Sequence, residues 1–250
     1  MSGTILSARG LSKNFGGLVA VNNLDFDLPA GELHAIIGPN GAGKTTFFNL
    51  ISGFVAPSAG RVIFDGQDVT GMPTHRISRL GIARTLQIKS VFNGLSVYDN
   101  VWIAAHSRHP FLHPLKAASA FAQTAREATA ALDAVGLAEK RDEMAGNLAY
   151  GDVALLEIAI AIAMKPKLLL LDEPVAGMSP EETQRTVHKV KALSETVNIL
   201  LIEHDMETVF EVADRITVMT QGGILVQGTA KEIAKDPRVQ EAYLGTPEET

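Results

Sequence analysis

The stretch GPNGAGKTT, Gly38–Thr46, constrains this chain more than any other segment. It lies between LHAIIG (33–38), which reads as a buried strand, and KTTFFNLIS (44–52), which reads as a helix stopping at Gly53. A glycine-rich bend at that junction has a specific chemical use. Glycines let consecutive backbone N–H groups curl around phosphate oxygens, and the helix N-terminus adds its partial positive charge. Gly38, Pro39, Asn40, Gly41, Ala42, Gly43, Lys44, Thr45 and Thr46 are therefore expected to cradle a nucleotide. Lys44 reaches its β and γ phosphates, and the Thr45 hydroxyl ligates Mg2+.

The rest of the chain reads as α/β. Short apolar runs at RVIFDG, KLLLLDE, NILLIE, RITVMT and GILVQG alternate with helical patterns, which predicts a mostly parallel sheet core with crossover helices. Thr4–Leu28, with Val19, Val21, Leu24, Phe26 and Leu28 set between turn residues, predicts antiparallel N-terminal strands. From about 92 to 150 the strand signals vanish, and VYDNVWIAAHS and ASAFAQTAREATAALDAVGL carry helical periodicity. The expected organisation is one domain over 1–250, with a core lobe of about 1–90 and 151–250 and an inserted helical subdomain of about 91–150. HPFLHP (109–114) is a loop within it, since two prolines do not sit inside one helix.

Composition excludes several function classes. A net charge of −6 does not offer the positive field of a nucleic-acid binder, so no nucleic-acid partner is expected. Without cysteine there is no disulfide framework, thiolate metal site or cysteine nucleophile, and the composition suits a reducing compartment. His106, His109 and His113 do not read as a metal set, because Pro110 and Pro114 break the helix that would align them. The N-terminus MSGTILSARGLSKNF does not look like a secretory signal. The longest apolar stretch, Val153–Met164, is interrupted by Glu157 and falls short of the roughly 20 residues that cross a bilayer. Any membrane role is expected to be peripheral, through another protein.

A second chemical motif is LLLLDEP (168–174). Its leucines make a buried strand with Asp172 and Glu173 at the carboxyl end, where ligands of open α/β sheets bind. Asp172 would hold Mg2+ through water and Glu173 would polarise an attacking water as general base. Alone, Asp-Glu after an apolar strand is equally a loop-capping pattern; beside Gly38–Thr46 it gains weight. Further segments follow in order: Phe15 in KNFGG, Gln87 in ARTLQ, LAYGD (148–152), AGMSPEE (176–182) and His204 in IEHD. Read singly, Phe15 is a core aromatic, Gln87 a loop amide and His204 a helix-start residue.

Together these segments make the chain resemble, over nearly its whole length, the nucleotide-binding subunit of an ABC transporter. The resemblance implies the P-loop NTPase fold of the ABC ATPases and a Mg-dependent ATPase with ATP and Mg2+ as cofactors. It places Phe15 against adenine and Gln87 near Mg2+ and the γ phosphate. His204 becomes the switch histidine, and Ala149, Tyr150, Gly151 and Asp152 become the signature that closes over a partner's ATP. The implied catalytic set is Glu173, His204, Lys44 and Gln87, and the implied metal set Thr45, Gln87 and Asp172.

LSKNFGGLVAVNNLDFDLPAGE, GIARTLQ, LEIA, LLLLDEPVAGMSPEET, IEHDM and VQEAYLG further resemble the ATPase subunits of branched-chain (hydrophobic) amino-acid importers. That implies two ATPase subunits, identical or not, serving transmembrane permease subunits and, indirectly, an extracytoplasmic solute-binding protein. The subunit would lie on the cytoplasmic face of the cell membrane and power uptake of branched-chain or related amino acids. ATPases for lipid or lipopolysaccharide export share many of these features, and a nucleotide-gated subunit with little or no turnover is a further alternative. A soluble ABC ATPase acting on nucleic acid is disfavoured by a single acidic domain without basic arms.

LAYGD departs from the family pattern. Ala149 replaces a serine, which removes a charge-assisted hydrogen bond of roughly 1.5–3 kcal/mol. Asp152 replaces a glutamine, which suits the helix dipole but not a nearby phosphate. Val153, Ala154, Leu155 and Ile160 stand where related importer subunits commonly carry Gln-Arg-Arg and a further arginine, so residues 153–164 read as a core helix. Slow but retained hydrolysis and a weaker sandwich dimer are expected. Coupling to the permease is expected near Gln87 and Ile88–Asn100, with Phe92, Leu95 and Val97 as an apolar docking surface.

Overall fold

The computed structural model describes residues 3–85, 91–108 and 117–244. The chain opens with two long strands, β1 (Thr4–Phe15) and β2 (Leu18–Pro29), paired antiparallel. Then come β3 (Leu33–Ile37), α1 (Lys44–Ile51), β4 (Ala59–Phe64), β5 (Gln67–Asp68), α2 (Thr74–Leu80) and β6 (Ile82–Arg84). A helical stretch follows: α3 (Val97–His106), α4 (Ala117–Val135) and α5 (Tyr150–Ala163). The rest alternates: β7 (Leu168–Asp172), α6 (Pro180–Leu193), β8 (Asn198–Ile202), α7 (Met206–Val212), β9 (Arg215–Thr220), β10 (Gly223–Gly228), α8 (Ala230–Ile233) and α9 (Pro237–Leu244).

Among the described residues these strands form two sheets. One has the order β10-β9-β3-β8-β7-β6 and is parallel except for β10, which runs antiparallel to β9. The other is antiparallel, with the order β2-β1-β4-β5. RVIFDG therefore becomes a strand of the N-terminal sheet. Val62 and Phe64 are buried while Arg61 is exposed, the alternation of a strand with one wet face. Val19 also departs from the expected apolar set: it is exposed, whereas Val21, Leu24, Phe26 and Leu28 are buried.

LHAII and LLLLD are buried at every position because both faces of the parallel sheet are covered. Side-chain alternation splits β7 between two cores. Leu168 and Leu170 join Phe47, Phe48 and Ile51 of α1 and Leu6, Phe26 and Phe64 of the antiparallel sheet. Leu169 and Leu171 face the opposite way, toward Val101 of α3, Leu132 of α4 and Leu155 and Leu156 of α5. The helix bearing the phosphate loop is thus clamped between the two sheets, and the signature helix packs on the other side.

α5 is a core helix, as its composition predicts. Val153, Ala154 and Leu155 are buried and Ile160 is half-buried, with α3, α4 and α6 packed around it. β6 was not legible as a strand, since three residues carry too little periodicity and it is defined by parallel pairing to β7. Leu156→Ala should lower the unfolding free energy by about 2–5 kcal/mol. Leu18→Ala, at a side chain 66% exposed, should change it by no more than about 0.5 kcal/mol. Urea denaturation of both variants checks this.

Candidate functional site

Gly38–Thr46 turns from the end of β3 into α1, and its glycines are required by shape. Gly38, Gly41 and Gly43 all adopt positive φ, at 151°, 79° and 98°. A Cβ on Gly38 would meet the Met219 carbonyl oxygen at 2.2 Å, and one on Gly43 would meet that of Ala20 at 2.4 Å. The loop is thus wedged between β9 and β2. Lys44 is buried, and its Nζ donates to the carbonyls of Gly38 at 2.6 Å and Pro39 at 3.1 Å. Burial pulls its pKa below the ordinary lysine value, while Glu173 and Asp172 pull the other way. Thr45 is exposed at the start of α1. Tyr243 of α9, which the sequence reading did not assign, has its hydroxyl hydrogen-bonded with the Gly38 backbone, and burial pushes its pKa up to about 12.

Phe15 ends β1, paired with Leu18 across the hairpin, and is 48% exposed with the Lys13 ammonium 5.0 Å from its ring centroid. It is therefore an accessible ring and not a core aromatic, on the hairpin whose Ala20 abuts Gly43.

Asp172 and Glu173 leave the end of β7 in different directions. Asp172 is buried; its Oδ2 accepts from Arg84 Nη2 at 2.7 Å, and its Oδ1 has no partner among the described residues. Glu173 is partly exposed and takes φ 51°, a left-handed conformation that costs a non-glycine residue on the order of 1 kcal/mol. Its N–H donates to the Ile202 carbonyl of β8 at 2.9 Å, which holds it there. His204 follows β8, with Nδ1 4.0 Å from Glu173 Oε1. The residues expected just past the ends of two neighbouring strands thus meet.

Glu203, between β8 and His204, was not assigned by sequence. Its carboxylate is buried and accepts from the N–H groups of Val175 at 3.1 Å and His204 at 3.3 Å. Burial outweighs these donors and pushes its pKa up to about 7. An acidic residue directly after the apolar run ILLI (199–202) was the available signal.

The signature segment is at the start of α5. Ala149 is the N-cap residue and supplies no side-chain cap, as the missing serine implies. Gly151 N–H donates to Glu182 Oε1 at 3.1 Å, and Glu182 also closes the capping box of α6 with Ser179. A Cβ on Gly177 would lie 3.5 Å from the Tyr150 hydroxyl, so the ring rests on the loop after β7. Asp152 departs from the expectation. Instead of adding charge beside a phosphate, its buried carboxylate turns inward and is paired with Arg185 and, at 2.5 Å, with Lys140.

Gln87 and Ile88 fall outside the described residues, as do His109 and His113. His106 stacks on Trp102 at 4.7 Å, and among the described residues there is no cluster of three metal-ligating side chains. Of the expected docking residues Phe92 is exposed and Leu95 half-buried, but Val97 is fully buried in the core with α4 and α5 and offers no surface. No helix among the described residues is long and apolar enough to cross a membrane.

Comparison with known proteins gives the same picture. Residues 21–176 match the family model described as "ABC transporter", and residues 224–249 match "Branched-chain amino acid ATP-binding cassette transporter". The chain is similar to the high-affinity branched-chain amino acid transport ATP-binding protein LivG of Escherichia coli K12, 42% identical over 98% of this chain and 99% of that one. It is also 42% identical to the corresponding BraF protein of Pseudomonas aeruginosa, with the same coverage. Among solved structures, an ATP-binding cassette of an ABC transporter in its ADP conformation superposes with a TM-score of 0.86 at 31% identity, over 98% of this chain and all of that one.

Glu203 carries a pH signature. Its pKa is raised on folding, so its contribution is fully present below the unfolded value of about 4.5 and is lost as pH rises through about 7. The difference in unfolding free energy between the wild type and Glu203→Gln should therefore shift against the wild type across that window and be flat above it. Denaturant titrations at stepped pH measure it.

Proposed function

The chain belongs to the ABC transporter ATP-binding family, and we propose that it hydrolyses Mg·ATP to power uptake of branched-chain or related amino acids through partner permeases. The observation that carries the chemistry is Glu173, pinned in a left-handed conformation with His204 beside it at the mouth of the sheet. In this reading Glu173 is the general base on the attacking water and His204 holds the γ phosphate, while Lys44 and the loop N–H groups bind the β and γ phosphates. Phe15 stacks on adenine. The residues present fit a magnesium ion: Asp172 Oδ1 is a buried acceptor without a donor among the described residues, and Thr45 is exposed at the loop. When bound, the ion neutralises charge on the phosphates; Thr45 and Asp172, with Gln87, would hold it.

A head-to-tail pair of such subunits is supported by what each half-site touches. The phosphate loop is packed on Ala20, Met219 and Gly222, whereas Tyr150–Asp152 contact Gly177, Glu182, Lys140 and Arg185. The signature and the phosphate loop of one chain thus have separate neighbours, and the exposed Ala149 and Tyr150 are available to another copy or to a related subunit. The amino-acid cargo is supported by the LivG and BraF relatives and by the match at residues 224–249. The solute itself would be chosen by permeases and a solute-binding protein, with this subunit on the cytoplasmic face of the membrane. The cleft between α2, β6 and α5, lined by Phe54, Ile77, Ile160 and Met164, supplies an apolar seat for a permease segment.

The purified subunit should turn over Mg·ATP slowly, and Glu173→Gln should lower that rate about 10²- to 10⁴-fold while ATP still binds. Ala149→Ser should raise it about tenfold or more by restoring a donor to the partner's γ phosphate. A phosphate-release assay checks both, and a wild-type rate that survives in Glu173→Gln would sink the assignment.

A further inference from the structure

Arg84 ends β6, and one residue later the chain enters 86–90, where Gln87 lies. Its guanidinium is nearly buried and makes three bonds. Nη2 donates to Asp172 Oδ2 at 2.7 Å, and Nη1 donates to Asn49 Oδ1 at 2.7 Å and to Ser52 Oγ at 3.1 Å. The rings of Phe48 and Phe54 lie 5.6 and 5.4 Å from its central carbon. One cation thus ties β6, the end of β7 and the helix that begins at the phosphate loop. This is far more fixation than charge balance for Asp172 requires.

The geometry on the other side of Asp172 gives that fixation a purpose. With Oδ2 taken, Oδ1 is the remaining acceptor, and it is buried with no donor among the described residues. A buried acceptor left unpaired is costly, and the cost is relieved if a metal-bound water donates to it. We propose that Arg84 is a positioning residue for the metal site: it occupies one oxygen of Asp172, sets the plane of the carboxylate against α1, and so presents the other oxygen to the metal's water shell. This rests on the Mg2+ reading above. Arginine does this where a lysine ammonium does not, because its other nitrogen is held by Asn49 and Ser52, so the donor that meets Oδ2 is itself fixed in place.

The test uses Mn2+ and the slowly hydrolysed analogue AMP-PNP, with calorimetry in Mn2+ or in EDTA. The readout is the gain in nucleotide affinity that the metal confers. Arg84→Met, which retains an apolar stem between the two phenyl rings, should lose about tenfold or more of that gain, the usual size of an outer-shell effect on metal affinity. Its affinity in EDTA should remain within about twofold, since no phosphate contact is removed. Arg84→Lys should recover part of the loss, and it decides the matter if Arg84→Met does not fold. A metal-dependent gain equal to the wild type in either folded variant overturns the proposal. A wild-type protein that shows no gain with Mn2+ overturns the Mg2+ reading and this inference with it.

Discussion

The structure depends on a parallel sheet buried on both faces. Strands such as LHAII and LLLLD have no exposed side along their length, so every polar group of the site must appear where a strand ends. Gly38 follows β3, Asp172 closes β7, Glu203 and His204 follow β8, and Arg84 closes β6. These strands are neighbours in the order β3-β8-β7-β6. Their ends therefore line up as a row, from the phosphate loop through Glu203 and His204 to Asp172 with Glu173 beside it and then Arg84, with spacing set by sheet geometry.

Much of this was legible in the sequence because the signals were local. The phosphate loop combines a residue pattern with a strand before it and a helix after it, and its glycines are demanded by backbone shape at Gly38 and Gly43. The apolar runs of β3, β7 and β8 identified themselves by length and branching. What was not legible depends on pairing at a distance. β6 is three residues long and exists through β7, and nothing near Arg84 in sequence reveals Asn49, Ser52 or Asp172 as its partners. The inward turn of Asp152 depends on Lys140 and Arg185, which come from different parts of the chain. Val97 was misread for the same reason, since helical periodicity shows that one face is buried without showing which face a partner helix takes.

The altered signature helix is coherent as a piece of packing. Val153, Ala154 and Leu155 are buried apolar side chains, and they let α5 sit among α3, α4 and α6 with little polar surface. The buried Asp152 carboxylate is met in that setting by two cations, Lys140 and Arg185.

The segment after β7 has a mechanical meaning. Glu173 begins it; Gly177 carries the Tyr150 ring, Glu182 accepts from Gly151, and Arg185 pairs with Asp152. Three successive signature residues are thus fastened to one loop and helix, each by a different kind of contact. Backbone motion at Glu173, the proposed general base, would reach the start of α5 through these contacts as through a lever. In a head-to-tail pair those two ends belong to different nucleotides, so each chain would act as a strut between the two sites, and loss of phosphate at one would be felt as a change of load at the other.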